Sequence, residues 1–294
     1  MNYRKLGNSP IKVSEIGFGC MSLQPEKHTE NETLIRTAFD AGITLFDTAD
    51  LYDKGANETT VGKALTPIRD QVVIATKVGN QWNEDGKGWT WNPSKTHILR
   101  AVEESLKRLQ TDYIDLYQLH GGTLDDDIPE IVEAFELLKQ QGKIRAYGIS
   151  SIRPNVIREW VKKSNLDSVM MQYSLLDRRP EEECLDYLHR SGVSVLTRGG
   201  LAKGVLVNKQ AKTALGYSEE EINQLKAATV NTQNAVSSAL QYVLQHPTVA
   251  SAITGVRTLP QLSEIIESTS VEIPANQLVE LGAILPPNKY EQHR

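Results

Sequence analysis

Tyr52 lies five residues after Asp47, and Lys77 and His120 follow, each at what reads as the carboxyl end of a short apolar strand. A phenol is a poor acid at neutral pH, with an ordinary pKa of about 10. A nearby ammonium can make it a usable proton donor, and a carboxylate can hold that ammonium in place. Taken singly, Asp47 and Lys77 read as a structural ion pair, Tyr52 as a loop aromatic and His120 as a satisfied core histidine. Their joint placement at strand ends favours a site for proton transfer.

The elements that must position these residues follow a steady rhythm. Strands are expected to end near Gly19, Asp47, Lys77, His120, Ser150, Gln172, Thr197 and Thr254. The run Val72-Val73-Ile74-Ala75-Thr76 is apolar almost throughout, as a strand covered on both faces should be. Helical patterns alternate with the strands, near 31–41, 58–65, 93–109, 128–141, 154–163, 180–190, 232–245 and 259–268. Gly42, Gly142 and Gly192 each follow a helical run, where a left-handed cap is expected, and Pro93 and Pro154 stand at helix starts. Strand-helix units in this number and over this length predict a closed, parallel (β/α)₈ TIM barrel in a single domain spanning 1–294, with an open doubly wound sheet as the competitor. Arg4–Val13 reads as an N-terminal β-hairpin plugging the amino end, extra C-terminal helical segments follow the last strand, and 78–92 reads as a long loop. In a barrel the polar strand ends share one mouth.

Composition narrows the function. A formal charge of −5 and the lack of any basic block argue against nucleic-acid or acidic-membrane binding. Two cysteines, Cys20 and Cys184, form no disulfide framework, and no apolar leader or membrane-spanning run is present, so a cytoplasmic protein is expected. The six histidines share no ligand spacing with the cysteines, and no metal is expected. Gly17-Phe18-Gly19 begins like a dinucleotide fingerprint, but Ser22 stands at its third glycine. Asp115, inside a strand, is expected to have a buried structural partner.

Several stretches together resemble the aldo-keto reductases: Phe46-Asp47-Thr48-Ala49 with Tyr52, then Gly55, Asn57, Glu58 and Gly62, then Ala75-Thr76-Lys77. Arg108 to His120, Lys143 to Ser150 and Gln172 to Arg178 continue the match, which covers essentially the whole chain and is nearest the longer bacterial and channel-subunit-like branches. The resemblance implies reduction of an aldehyde or ketone by a reduced nicotinamide. Tyr52 would protonate the growing alkoxide, Lys77 would lower the Tyr52 pKa, Asp47 would anchor Lys77, and His120 would orient the carbonyl oxygen.

The resemblance also implies a cofactor site. Ser150, Ser151 and Gln172 should bind the nicotinamide carboxamide, although the family commonly has Asn where Ser151 stands. Arg198 stands where an aromatic often stacks on the nicotinamide, and a guanidinium plane can stack too. Gly199, Leu201, Lys203 and Gly204 could wrap the pyrophosphate. Gly255, Arg257, Gln261 and Glu264 match the adenosine-phosphate pattern, and Arg257 at the 2′-phosphate implies NADPH (and NADP+) over NADH. Ile265 replaces the usual Asn beside the adenine. Trp82, Trp89 and Trp91 are candidates for the substrate pocket, with Cys20, Met21, Leu23 and Leu51 on neighbouring loops. The expected partner is a small carbonyl compound, and no obligate protein partner is expected. Two rivals stand beside this reading. One is a cofactor-binding regulatory subunit with little turnover. The other is an aldolase in which Lys77 forms a Schiff base, disfavoured because Asp47 keeps that lysine charged.

Overall fold

The computed structural model describes residues 1–294. A small antiparallel hairpin, β1 (Tyr3–Lys5) and β2 (Lys12–Ser14), precedes the barrel, with Gly7 at positive φ in its turn. Eight parallel strands then close on themselves: β3 (Ile16–Gly19), β4 (Leu45–Asp47), β5 (Val73–Val78), β8 (Ile114–Leu119), β9 (Ile144–Ser150), β10 (Ser168–Gln172), β11 (Ser194–Arg198) and β12 (Val249–Gly255). Between β5 and β8 lies a second hairpin, β6 (Asn80–Trp82) and β7 (Trp89–Trp91).

Helices α1 (His28–Asp40), α2 (Ala56–Leu65), α3 (Lys95–Leu109), α4 (Ile128–Gln140), α5 (Pro154–Lys163) and α6 (Cys184–Arg190) alternate with the strands. Four more follow: α7 (Glu219–Val230), α8 (Ala235–Leu244), α9 (Leu259–Ser268) and α10 (Ala275–Ala283). Their apolar stripes pack on the outer faces of the strands in one continuous layer of 67 buried residues. Phe135 of α4 anchors it, stacked 5.4 Å from Tyr147 and edge-on to Tyr117 and Trp160. No helix is long and apolar enough to cross a membrane.

The barrel interior explains the polar mouth. Leu45, Val73, Ala75, Leu116, Ala146, Met170, Leu196 and Ile253 point inward and pack with Leu6, Ile11 and Val13, which the first hairpin inserts from the amino end. Side chains on a strand return to the same face every second residue. Two residues beyond that apolar layer stand Asp47, Lys77, Gln118, Gly148, Gln172, Arg198 and Gly255, and two further on His120 and Ser150. The register keeps neighbours level, with Gly19 opposite Asp47 and Lys77 opposite Gln118. The polar set therefore rises together at the carboxyl end.

Three local expectations change. The segment 78–92 is a hairpin rather than a long loop. Pro93 lies outside α3, whose N-cap is Ser94 accepting from His97 N. The expected helix at 180–190 is a 3-10 turn over Arg179–Glu182 followed by α6.

Candidate active site

At the end of β5, the Lys77 ammonium is 1% exposed and fully engaged. It donates to Asp47 Oδ1 at 2.7 Å, Asp47 Oδ2 at 2.8 Å and the Thr48 carbonyl at 2.6 Å. An ammonium has three donors, so the cage uses all of them. The Nζ lies 5.2 Å from the Tyr52 ring centroid. His120, whose N–H continues the β5–β8 ladder to Val78 O (2.7 Å), sets its ring edge-on to Tyr52 at 5.8 Å. The structure thus brings Asp47, Tyr52, Lys77 and His120 into one cluster.

Tyr52 is delivered by a short tight loop. Thr48 N and Asp50 N still pair with Ala75 O and Lys77 O, so the chain leaves β4 tracking its neighbour. After Tyr52 the backbone turns through three left-handed residues, Asp53, Lys54 and Gly55, into α2. A side chain at Gly55 would strike Arg108, so glycine is required there twice over. Lys54 reaches across to the second hairpin, donating to Gly86 O at 3.0 Å with its ammonium 5.2 Å from the Trp82 ring.

Burial dominates the electrostatics. It would lower Lys77, but Asp47 and Tyr52 outweigh it and hold the amine above the ordinary lysine value. Burial also raises Asp47, with Lys77 opposing. For Tyr52, burial raises the phenol above its usual value although Lys77 pulls it down. The expected influence of Lys77 is present, but the net direction is upward, so the phenol is protonated at neutral pH. His120 falls to about 3 through burial, Lys77 and Arg198, and stays a neutral imidazole. Asp50 rises to about 8, through burial and the nearby Glu58.

The residues implied for a cofactor border the same mouth. Ser150, Gln172 and Arg198 end three adjacent strands, and Ser151 Oγ accepts from Arg153 N at 3.2 Å. Arg198 is exposed without an ion pair, yet close enough to act on Asp47, Tyr52 and His120. Beyond it the backbone is left-handed at Gly199, Ala202, Lys203 and Gly204. Gly204 N already donates to Leu201 O at 2.8 Å, which removes that amide from the expected pyrophosphate wrap. Gly255, Arg257, Gln261 and Glu264 are exposed around the start of α9, where Arg257 N donates to Gln261 Oε1. Ile265 is 4% exposed within the outer core, so it faces inward and is no substitute for a nucleotide-facing Asn.

The pocket candidates divide. Trp91 is tied down, its Nε1 donating to Asp126 Oδ1 at 2.8 Å while its ring lies against Gly79 and Gly121. Trp82 is half-buried opposite Trp89, which is exposed. Met21 is exposed and Leu51 half-buried, whereas Cys20 and Leu23 are buried. Cys20 therefore offers no side-chain surface to a substrate and is corrected to a packing residue. Asp115 pairs with Arg69 and Arg145, as a buried structural acid. A cavity of about 760 Å³ lies at the opposite, amino end of the barrel, lined by Lys12, Asp70 and Arg145 among others, remote from this chemistry.

Sequence reasoning missed three contributors. The Thr48 carbonyl caging Lys77 has no side-chain signal. Asp50 was an acid in a semi-apolar segment, the one available hint. The C-terminal tail crosses the mouth loops, with His293 O accepting from Asn155 N and Asn288 Oδ1 from Arg178 N. These contacts join segments more than a hundred residues apart in the chain, which no local pattern encodes.

The profile of the Aldo/keto reductase family matches residues 15–285. The chain is 47% identical over 307 residues to the "uncharacterized oxidoreductase YqkF" of Bacillus subtilis (strain 168), covering 100% of both. It superposes on the holo form of the aldo-keto reductase AKR11C1 from Bacillus halodurans with a TM-score of 0.96 at 46% identity, covering 100% of this chain and 99% of that one. Against the apo form the TM-score is 0.88 at 44% identity, with the same coverage. A parallel barrel whose strand ends gather a caged lysine, a phenol and a neutral imidazole, matched over this length, belongs to the aldo/keto reductase family.

Proposed function

We propose that this protein reduces aldehydes and ketones to alcohols with NADPH, Tyr52 acting as general acid. The observation that carries the reading is the Lys77 ammonium, caged by Asp47 and Thr48 and set 5.2 Å from the Tyr52 ring beside a neutral His120.

Bound NADPH supplies the hydride that the carbonyl carbon accepts. The unpaired Arg198 and the free ends of Ser150 and Gln172 fit such a group, as does the exposed Arg257 at the start of α9 for a 2′-phosphate. The closer superposition on the holo form of the Bacillus halodurans relative supports a cofactor-ready arrangement.

The chain's own residues handle the proton. Tyr52 Oη donates to the carbonyl oxygen as negative charge builds there, leaving a phenolate that solvent later reprotonates. Lys77 stabilises that phenolate, and the Asp47–Thr48 cage keeps the ammonium charged and fixed. Neutral His120 donates a hydrogen bond to the same oxygen without competing as an acid. Acid catalysis of this kind contributes about 10²–10⁴-fold. Donors aimed at the developing oxyanion add to it.

A panel of aromatic and aliphatic aldehydes and ketones, followed by NADPH consumption and alcohol formation in equal amounts, tests the reading. Turnover of several members is expected. NADPH binding with no turnover of any member would overturn it in favour of a regulatory subunit.

A further inference from the structure

The loop that carries Tyr52 is strained and yet must place its hydroxyl accurately. Asp53 and Lys54 adopt left-handed φ values of 50° and 55°, a conformation that costs L-residues energy and persists only when the surroundings impose it. What imposes it is the first turn of α2. Asn57 Oδ1 accepts from Thr48 Oγ1 at 2.7 Å, closing the loop on itself at the residue after Asp47. The Asn57 amide also donates to Cys20 O at 2.9 Å, at the end of β3. Glu58, 0% exposed, accepts from Thr76 Oγ1 at 2.6 Å, the residue before Lys77. Its other oxygen takes Arg108 Nε at 2.7 Å and Ser105 Oγ at 3.3 Å, and the same arginine lies under Gly55.

The two side chains therefore touch the immediate neighbours of Asp47 and Lys77, and Glu58 reaches the turn that follows Tyr52 through Arg108. A carboxylate that served only to join α2 to α3 would need Arg108 alone. Displacing a reacting group by about 1 Å can cost on the order of 10²-fold in rate.

We propose that Asn57 and Glu58 are positioning residues that hold Tyr52 in register with the Lys77 ammonium. The proposal rests on Tyr52 being the acid.

A double-mutant cycle separates positioning from folding support. Single-turnover reduction of an activated aromatic aldehyde, with NADPH pre-bound, is measured for wild type, Tyr52→Phe, Glu58→Gln and the double variant. Glu58→Gln is expected to slow the step about 10- to 100-fold. In the Tyr52→Phe background the same change is expected to cost less than about threefold, because the group being positioned is gone. NADPH affinity should stay within about twofold throughout. Equal loss in both backgrounds would overturn the proposal while leaving Tyr52 as the acid. Full activity of Tyr52→Phe would overturn both. Should Glu58→Gln fail to fold, Thr48→Val removes only the Oγ1 donor to Asn57, and the same cycle is run with it. Additive losses there count against the proposal equally.

Discussion

Replacing Asp47 by Asn should convert a pH-independent acid site into one that works only at low pH. The variant keeps the size and one acceptor of the carboxylate but removes the charge that holds Lys77 protonated. Lys77 is buried, and burial by itself lowers its pKa; Asp47 is the larger of the two groups opposing that. Fully buried lysines have titrated about 3–5 units below the ordinary value of roughly 10.4. In Asp47→Asn the amine should therefore lose its proton at or somewhat below neutrality. The alternative, an unpaired buried ammonium, would cost about 3–5 kcal/mol. Neutral Lys77 no longer stabilises the Tyr52 phenolate. Losing the Asp47 charge helps Tyr52 ionise, but Lys77 is the stronger influence on it, so the net effect is loss.

At pH 8 an amine titrating about 3–5 units below 10.4 is charged in only roughly 20% to 0.2% of molecules, so the rate of carbonyl reduction should fall about 5- to 400-fold. As pH falls through the new lysine pKa the cation returns, and activity should rise up to about tenfold per pH unit. Wild type should stay flat over that range. Single-turnover rates from pH 5.5 to 8.5 measure this. A variant with less than about threefold loss and the wild-type profile would mean that the Asp47 charge does not keep Lys77 protonated.

Two other variants test neighbouring features. Asp50 has a folded pKa of about 8 against about 3.9 unfolded, so the folded chain binds the extra proton and its stability falls as pH rises between those values. Asp50→Asn removes that loss, so in urea unfolding its advantage over wild type should grow from pH 5 to pH 8, by up to about 4 kcal/mol; a constant difference would count against it. Arg257→Ala should raise KM for NADPH about tenfold or more while leaving NADH little changed, as expected of a lost charge-assisted phosphate contact; equal effects on both would remove Arg257 from cofactor choice.

The barrel was readable because its signal is local. Short apolar strands, glycine caps such as Gly42 and Gly142, and alternating amphipathic runs predicted the strand ends to within a residue or so. Asp47, Lys77 and His120 were readable because each stands an even number of residues beyond an inward apolar side chain, and Tyr52, on the loop after β4, because of its short spacing from Asp47. The hairpin of β6 and β7 was not, since strands of three residues leave too little alternation to distinguish from loop. Nor was α7, whose acidic first turn and polar surface gave no clear stripe. The Tyr52 pKa direction depends on burial, which charge spacing along the chain does not encode. Glu58 and Arg108 lie fifty residues apart, and their joint grip on the Tyr52 loop is visible only in space.

Single-turnover reduction of one carbonyl substrate by Tyr52→Phe, with NADPH already bound, isolates the proton-transfer role of the Tyr52 hydroxyl from cofactor binding and product release. A rate about 10²–10⁴-fold below wild type, with NADPH affinity unchanged, is predicted. A Tyr52→Phe enzyme as fast as wild type would mean that the proton comes from another group.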